Sequence, residues 1–483
     1  MSDHEDLYTD DDPEYRNTRT VSGIVPPSLQ SLHRNNSNNY QQHQHRSSRD
    51  NRQFAVPERH GVPDHRAVPE HRNVASQQRS ATSPPKVDMT VRTDFLKCDQ
   101  EHRLAIEDLP AMIRVREPKE QDYFWNPKDL VDQTNAMRRR VKDAPDEARA
   151  KCNPFGGINK SIFMNRAATK LAALDATFAL TATENNSKPF TFADICGGPG
   201  GFSEYLLWRV HSWGGTAKGY GITIKSRDHD EVNWHAEKFR KNISNNLTII
   251  DGPDGTGDLY EEANIRGFGD TVRQHTDQQG VDLAVADGGF DFKGQEQQQE
   301  YVTRRLLLCE IITMLTCLKQ GGTFVCKIFD INEEFTANML WVLYQLFDMI
   351  CITKPLSSRP TNSERYIVCK GLRAHFPQNL ITALLSVNQG LEKQPHRIGS
   401  FVPRAVLEDD EDFVNYIKMR NISYSSQPHS LFRFTSKQIE ALELMDQFIH
   451  RPDRPPLYDQ ESIRQHCMKE WRLPVHGSSQ DEE

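Results

Sequence analysis

Three charged residues stand at positions where chemistry is the first question to ask. Lys327 interrupts the apolar run Val325–Phe329 (VCKIF), and a lysine is seldom fully buried unless it is paired or working. Asp287 ends the run Val281–Ala286 and is followed by Gly288 and Gly289, which permit a sharp turn. Glu364 stands where the polar stretch Ser357–Ser363 (SSRPTNS) runs into the apolar segment Tyr366–Cys369. Each has a structural alternative: a carboxylate capping a turn, a lysine snorkelling from an edge strand, a glutamate in a surface ion pair. Together they read as charged groups gathered at one ligand rim, where perturbed titratable groups concentrate.

A second feature is the stretch Phe192–Arg209, FADICGGPGGFSEYLLWR. It opens as a short apolar strand, Phe192–Cys196, and passes through Gly197, Gly198, Pro199, Gly200 and Gly201. Phe202, Tyr205, Leu206 and Trp208 then recur at helical spacing. Strand, glycine turn and helix begin a nucleotide-binding α/β fold. Glycine lets the backbone pass close under a ligand, and the helix start offers unpaired N–H groups. The spacing matches neither G-x-G-x-x-G nor a G-K-[ST] phosphate loop. The alternative is a tight turn before an ordinary helix.

The elements that must position these groups follow from the rest of the chain. Its 483 residues are enough for two or three domains. The formal net charge is −8, from 59 basic and 67 acidic residues, so overall charge does not advertise a nucleic-acid binder, although a basic face can hide in the average. The nine cysteines are scattered with no C-x-x-C, which argues against zinc and for a reduced, intracellular chain. No apolar run approaches a membrane span, and the acidic start MSDHEDLYTDDDPEY is not a secretory signal. Residues 1–88 are poor in apolar residues and rich in Asn, Gln, His, Arg, Ser and Pro, the composition of a disordered, low-complexity region. Residues 89–150 form a helical, basic extension, with an aromatic anchor at Tyr123-Phe124-Trp125. Arg138, Arg139, Arg140, Lys142, Arg149, Lys151, Lys160, Arg166 and Lys170 make the densest basic stretch. It is either a solvated face or a rim that neutralises phosphates.

Residues 151–372 alternate strands and helices. Strands are expected at Phe192–Cys196, Gly219–Ile224, Asn246–Ile250, Val281–Asp287, Phe324–Phe329, Met349–Ile352 and Tyr366–Cys369. Helices are expected at Ser161–Asp175, Leu306–Leu318 and Met339–Phe347. This is the α/β class: a mostly parallel, Rossmann-like sheet with helices on both faces. Ligands sit at the carboxyl ends of such strands, which places the glycine turn, Asp287 and the end of the Lys327 strand on one rim. Residues 373–483 form a helical C-terminal extension, with helices at Leu380–Leu385, Ser436–Ile449 and Glu461–Trp471.

With Lys170 added, the spaced set Lys170, Asp287, Lys327 and Glu364 resembles the Lys-Asp-Lys-Glu tetrad of the FtsJ-type 2′-O-ribose RNA methyltransferases. The likeness is closer still to their cap-specific mRNA branch. It is carried by NPF (Asn153–Phe155), IFMNRAATKLAALD (Ile162–Asp175), the glycine stretch, VADGGFDFKGQE (Val285–Glu296), VCKIFD (Val325–Asp330) and SSRPTNSERYIVCKGL (Ser357–Leu372). Residues 463–474 (IRQHCMKEWRLP) extend it into the tail.

The resemblance implies an S-adenosylmethionine-dependent Rossmann-like methyltransferase. Cys196, Gly197, Gly198, Pro199, Gly200, Gly201 and Phe202 would cradle the amino-acid part of S-adenosylmethionine, Asp258 would meet its adenine amino group, and Asp287 would bridge donor and tetrad. The second strand runs into Ile224-Lys225 with no acid for the ribose, and Gly198 stands where the cap branch usually has alanine. Lys327 would act on the 2′-hydroxyl, as base or as stabiliser of oxyanion charge, while Lys170 and Glu364 hold the geometry. Arg149, Lys151 and Arg166 are the expected phosphate contacts, and no metal is expected. The implied substrate is the capped 5′ end of mRNA, methylated on its first transcribed nucleotide. Transcription or capping machinery would be further partners, no membrane is involved, and the nucleus is the expected location. The competing readings are methylation of the second cap nucleotide, rRNA or tRNA, a non-catalytic cap-binding scaffold, and a small-molecule methyltransferase.

Overall fold

The computed structural model describes residues 87–118, 125–159, 161–182, 188–240, 243–290, 292, 296–421 and 434–475. The low-complexity region up to residue 86, Tyr123, Phe124 and Lys160 therefore lie outside the described residues.

Seven strands form one sheet: β1 Phe190–Ile195, β2 Ala217–Ile222, β3 Leu247–Ile249, β4 Val281–Ala286, β5 Leu318–Ile328, β6 Phe347–Thr353 and β7 Arg365–Leu372. Their order is β3-β2-β1-β4-β5-β7-β6. β7 runs antiparallel to both β5 and β6, and the remaining pairs are parallel. Each apolar run that suggested a strand is one. The order reverses between β1 and β4, so their carboxyl ends open the crevice where such folds bind ligands.

Both faces of the sheet are covered. On one face Phe192, Phe202, Tyr205, Leu206, Leu283, Val325 and Tyr366 join the helix Gly201–Ser212 to the strands. The helix Gln460–Glu470 docks there through Cys467, Met468 and Trp471. Arg209 fastens it, donating to Trp471 O at 2.6 Å and Arg472 O at 3.1 Å. Those orphan carbonyls at a helix end need such a donor. On the other face the helices Glu262–His275, Gln299–Cys317 and Glu334–Leu346 bury Phe268, Ile312 and Trp341.

Several expected boundaries move: the helix expected from Leu306 begins at Gln299, β5 begins at Leu318 rather than Phe324, and the helix expected to end at Leu385 runs to Lys393. The helix proposed from Ser161 begins only at Ala167 and runs to Phe178. The apolar residues Ile162, Phe163 and Met164 read as helical, but the carboxylate of Glu204 takes the Met164 N–H at 2.8 Å. A tertiary contact thus overrides local propensity and keeps the Asn165 side chain beside the glycine turn.

Candidate functional site

Four elements deliver the four charged side chains to one place. Lys170 is in the first turn of the helix Ala167–Phe178. Asp287 follows the last residue of β4, Lys327 is the penultimate residue of β5, and Glu364 directly precedes β7. Parallel register pairs Ala286 with Cys326, so Asp287 falls beside Lys327. Antiparallel register pairs Lys327 with Tyr366, which brings Glu364 to the same end.

Lys170 Nζ donates to Glu364 Oε2 at 3.0 Å and stands 3.6 Å from Asp287 Oδ2. Lys327 Nζ lies 3.1 Å from Asp287 Oδ1 and donates to the Asp287 carbonyl at 2.8 Å. Two cations and two anions are thus joined through Asp287 and Lys170 with no formal charge left over. This is how buried charges survive the loss of solvent. Side-chain exposure is 7 % for Lys170 and 8 % for Glu364, against 11 % for Lys327 and 15 % for Asp287. The Lys327–Asp287 end therefore faces the opening, and the Lys170–Glu364 end is its foundation.

Four further residues support this cluster, none of them singled out by the sequence. The Tyr366 phenol donates to Asp287 Oδ1 at 2.6 Å. Ser358 Oγ donates to Glu364 Oε1 at 2.7 Å. Glu310 Oε1 accepts the Gly288 N–H at 3.0 Å and so holds the turn after Asp287. Lys354 donates to the Glu364 carbonyl at 2.7 Å. Burial alone would raise the Glu364 carboxyl; Lys170, Lys327 and Lys354 outweigh it and hold Glu364 well below the usual carboxylate range. Burial pushes Glu310 up to about 7, against the pull of Lys327.

The glycine turn lies over β1. Cys196 takes φ 58°, the Gly198–Pro199 peptide is cis and Gly200 takes φ 123°, a conformation that asks for glycine. Beneath it, Asp194 Oδ2 accepts the Ser203 N–H at 3.0 Å and the Ser203 hydroxyl at 2.7 Å. The other oxygen, Asp194 Oδ1, and the Asn165 amide nitrogen are buried with no partner among the described residues. Both border the turn: a Cβ on Gly197 would lie 2.6 Å from Asp194 Oδ1, and one on Gly201 would lie 2.1 Å from Asn165 Oδ1. An unpaired acceptor and an unpaired donor, both bordering the turn, suit a ligand carrying an ammonium and a carboxylate. Burial pushes the Asp194 carboxyl up to about 7, against its Ser203 hydrogen bonds.

Asp258 stands across the β2 end. Gly257, at φ 69°, brings it there: a Cβ on Gly257 would sit 1.8 Å from the Thr223 carbonyl. Asp258 Oδ1 accepts the Tyr260 N–H at 2.8 Å, and burial raises its carboxyl above the ordinary value. No acid follows β2 at Thr223, Ile224 or Lys225.

The basic stretch divides. Arg138 is buried with Asp330 at 2.8 Å, and Arg365 reaches the same carboxylate at 3.2 Å. Arg166 occupies the N-cap position of the Lys170 helix, with no capping bond from its side chain, and is buried. Arg149 instead donates to Ala144 O and Lys142 O, and Lys151 to Pro452 O. The structure shows no contact between these last two and the four-residue cluster. Among the described residues no group of three or more His, Cys, Asp or Glu could hold a metal ion, and no helix is long and apolar enough to cross a membrane.

A mixed seven-stranded sheet with a glycine turn after β1 and a Lys-Asp-Lys-Glu cluster at its carboxyl rim defines a class. Residues 163–372 match the family model described as FtsJ-like methyltransferase. Likeness to relatives extends beyond that stretch. The chain is 37 % identical over 344 residues to a protein of Dictyostelium discoideum named cap-specific mRNA (nucleoside-2′-O-)-methyltransferase 1, covering 68 % of this chain and 43 % of that protein. It is 36 % identical over 346 residues to the Mus musculus protein of the same name, covering 68 % and 39 %. With the Drosophila melanogaster protein of that name it shares 34 % over 381 residues, covering 76 % and 45 %. The matched region thus spans about two fifths of the length of these relatives.

Proposed function

We propose that the chain transfers a methyl group from S-adenosylmethionine to the ribose 2′-hydroxyl of the first transcribed nucleotide of capped mRNA. The observation that carries this reading is the closed cluster of Lys170, Asp287, Lys327 and Glu364 at the rim beside the glycine turn. The nucleus, where caps are built, is the location proposed with it. S-adenosylmethionine supplies a methyl group on a positively charged sulfur, open to attack by an oxygen nucleophile.

The chain's own residues do the rest. Asp194 and Asn165 offer the acceptor and donor for the ammonium and carboxylate of the donor's amino-acid part, over the turn Cys196–Phe202. Asp258 offers an acceptor for an adenine amino group. A ribose hydroxyl is a poor nucleophile, so it must be aligned and its developing charge met. Lys327 is the less buried cation of the cluster. Asp287 occupies two of its N–H bonds, by ion pair and through the carbonyl, which leaves one to hold the 2′-oxygen. Lys170 and Glu364 fix Asp287 from behind. Arg166, one turn before Lys170, is the basic residue best placed to meet a phosphate.

Labelled S-adenosylmethionine, offered with a capped RNA and with the same RNA carrying a 5′-triphosphate, tests this directly. Label on the 2′-oxygen of the first nucleotide, with the cap only, is the expected result. Equal label without the cap keeps the chemistry and removes the cap assignment. Label on the second nucleotide moves the site of action. No transfer by a protein that still binds the donor overturns the enzymatic reading.

A further inference from the structure

The connection between β6 and β7 runs from Lys354 to Glu364, and its first residue is bonded to its last. Lys354 Nζ donates to the Glu364 carbonyl at 2.7 Å. It also lies 2.8 Å from Asn362 Oδ1, 3.1 Å from the Asn362 carbonyl and 3.2 Å from Ser358 Oγ. Four oxygens of one loop converge on a single nitrogen. The same Ser358 hydroxyl then donates to Glu364 Oε1. The backbone of Glu364 and one of its carboxylate oxygens are therefore both set from Lys354, the second through Ser358. The other oxygen, Oε2, is left to Lys170.

From this geometry we infer that Lys354 is a positioning residue for the methyl transfer, aiming Glu364 at Lys170 by drawing the ends of the 354–364 loop onto one ammonium. No described hydrogen bond joins it to Lys170, Asp287 or Lys327, so its geometric hold on the cluster passes through Glu364; burial pushes its ammonium down to about 7, against the pull of the Glu364 carboxylate. The chemistry asks for a lysine. The loop has no ladder of its own, and its inward oxygens are all acceptors. An uncharged side chain cannot donate three hydrogen bonds from one atom, whereas an ammonium on a four-carbon stem can. An arginine would spread its donors over a planar fork too wide for four oxygens gathered about a point. Outside the loop, Gln438 donates to the Thr361 carbonyl at 3.0 Å and Ser363 to Gln299 Oε1 at 2.8 Å. The loop would thus stay docked without Lys354 and lose mainly its inner register. That separates positioning from folding.

This inference rests on the proposed methyl transfer, so its test has two arms, run on the full chain. In the first, Lys354→Met, Lys354→Arg and Ser358→Ala are compared with wild type for kcat and KM on capped RNA and for donor Kd. Lys354→Met should lower kcat at least tenfold, with KM and donor Kd within threefold, and Lys354→Arg should recover only part of it. Ser358→Ala, which removes one spoke, should fall between. A kcat within twofold of wild type for folded Lys354→Met overturns the inference, as does an equal loss in kcat, KM and donor binding. In the second arm, hydrogen exchange is measured on the same proteins. Lys354→Met should speed exchange at least tenfold in peptides covering 355–366 and leave β1 and β4 unchanged. Unaltered exchange there overturns the inference even if the protein transfers no methyl group. An inactive wild type with the expected exchange pattern overturns the proposed function and not the role of Lys354 in fixing Glu364.

Discussion

Lys170 Nζ lies 3.0 Å from Glu364 Oε2, and both side chains are more than nine-tenths buried. Each is the other's closest counter-charge, across 194 residues of sequence. Removing one partner of such a pair leaves a desolvated charge, which costs about 3–5 kcal/mol. Lys170→Ala should therefore destabilise the protein by roughly that amount in urea unfolding. Adding Glu364→Gln should restore a large part of the stability and none of the activity. If the two losses simply add, the pair carries no coupling and the foundation assigned to it is wrong.

How much of this was legible in sequence depends on whether a feature is local. The seven strands announced themselves as short apolar runs, and Asp287, Lys327 and Glu364 announced themselves by interrupting them. Lys170 carried no such signal; it lies within a basic run and stood out only by resemblance. The supporting residues are invisible for a plainer reason. Tyr366 reads as one more apolar strand residue until its hydroxyl is found 2.6 Å from Asp287, 79 positions away. Lys354 reads as a loop lysine until the four oxygens around it are seen. The basic run was visible but its direction was not: Arg138 turns inward to Asp330 while Arg149 closes on local carbonyls. Asn165 could have been flagged as an amide between an apolar run and a helix start. Its unpaired nitrogen could not.

Lys327 is the member of the cluster that can be removed at least cost to the fold. Asp287 would keep Lys170 at 3.6 Å and the Tyr366 phenol at 2.6 Å. Lys327→Ala should hold stability within about 1 kcal/mol in urea unfolding. Loss of a group that meets developing charge is worth about 10²–10³ in rate, so kcat should fall by at least that much with donor Kd unchanged. A variant that transfers methyl within tenfold of wild type would move the role to another residue.

Gly198 is a sharper constraint than its side chain suggests. A Cβ there would lie 2.0 Å from the Val232 carbonyl and 2.9 Å from its carbon, both backbone atoms that cannot swing aside. The segment after β2 closes on the turn through this approach, and the His235 N–H donates to the Pro199 carbonyl at 3.0 Å beside it. Gly198→Ala should cost about 1–3 kcal/mol, the range for overpacking, and should weaken donor binding at least fivefold by isothermal titration. The alanine common at this place in the cap-specific branch would then require a different path for that segment. Unchanged Tm and Kd would show that residues 230–235 give way freely.

Glu310 sets a pH dependence whose sign can be worked out. Its side chain is buried behind Gly288, and burial holds its carboxyl at about 7 against an ordinary 4.5. Between those values the folded state binds the proton and the unfolded state does not, so stability falls as pH rises through that window. The favourable contribution is complete below 4.5 and is lost as pH passes 7. On linkage this amounts to something on the order of 3 kcal/mol. Glu310→Gln keeps an acceptor oxygen for the Gly288 N–H and carries no charge at any pH. The Tm of the variant minus that of wild type, measured at steps from pH 4.5 to pH 8.5, should start near zero, grow as pH rises toward 7 and level off above it. A flat Tm difference across the series would mean that Glu310 ionises in the folded protein as it does in the unfolded one, and that Lys327 compensates its burial in full.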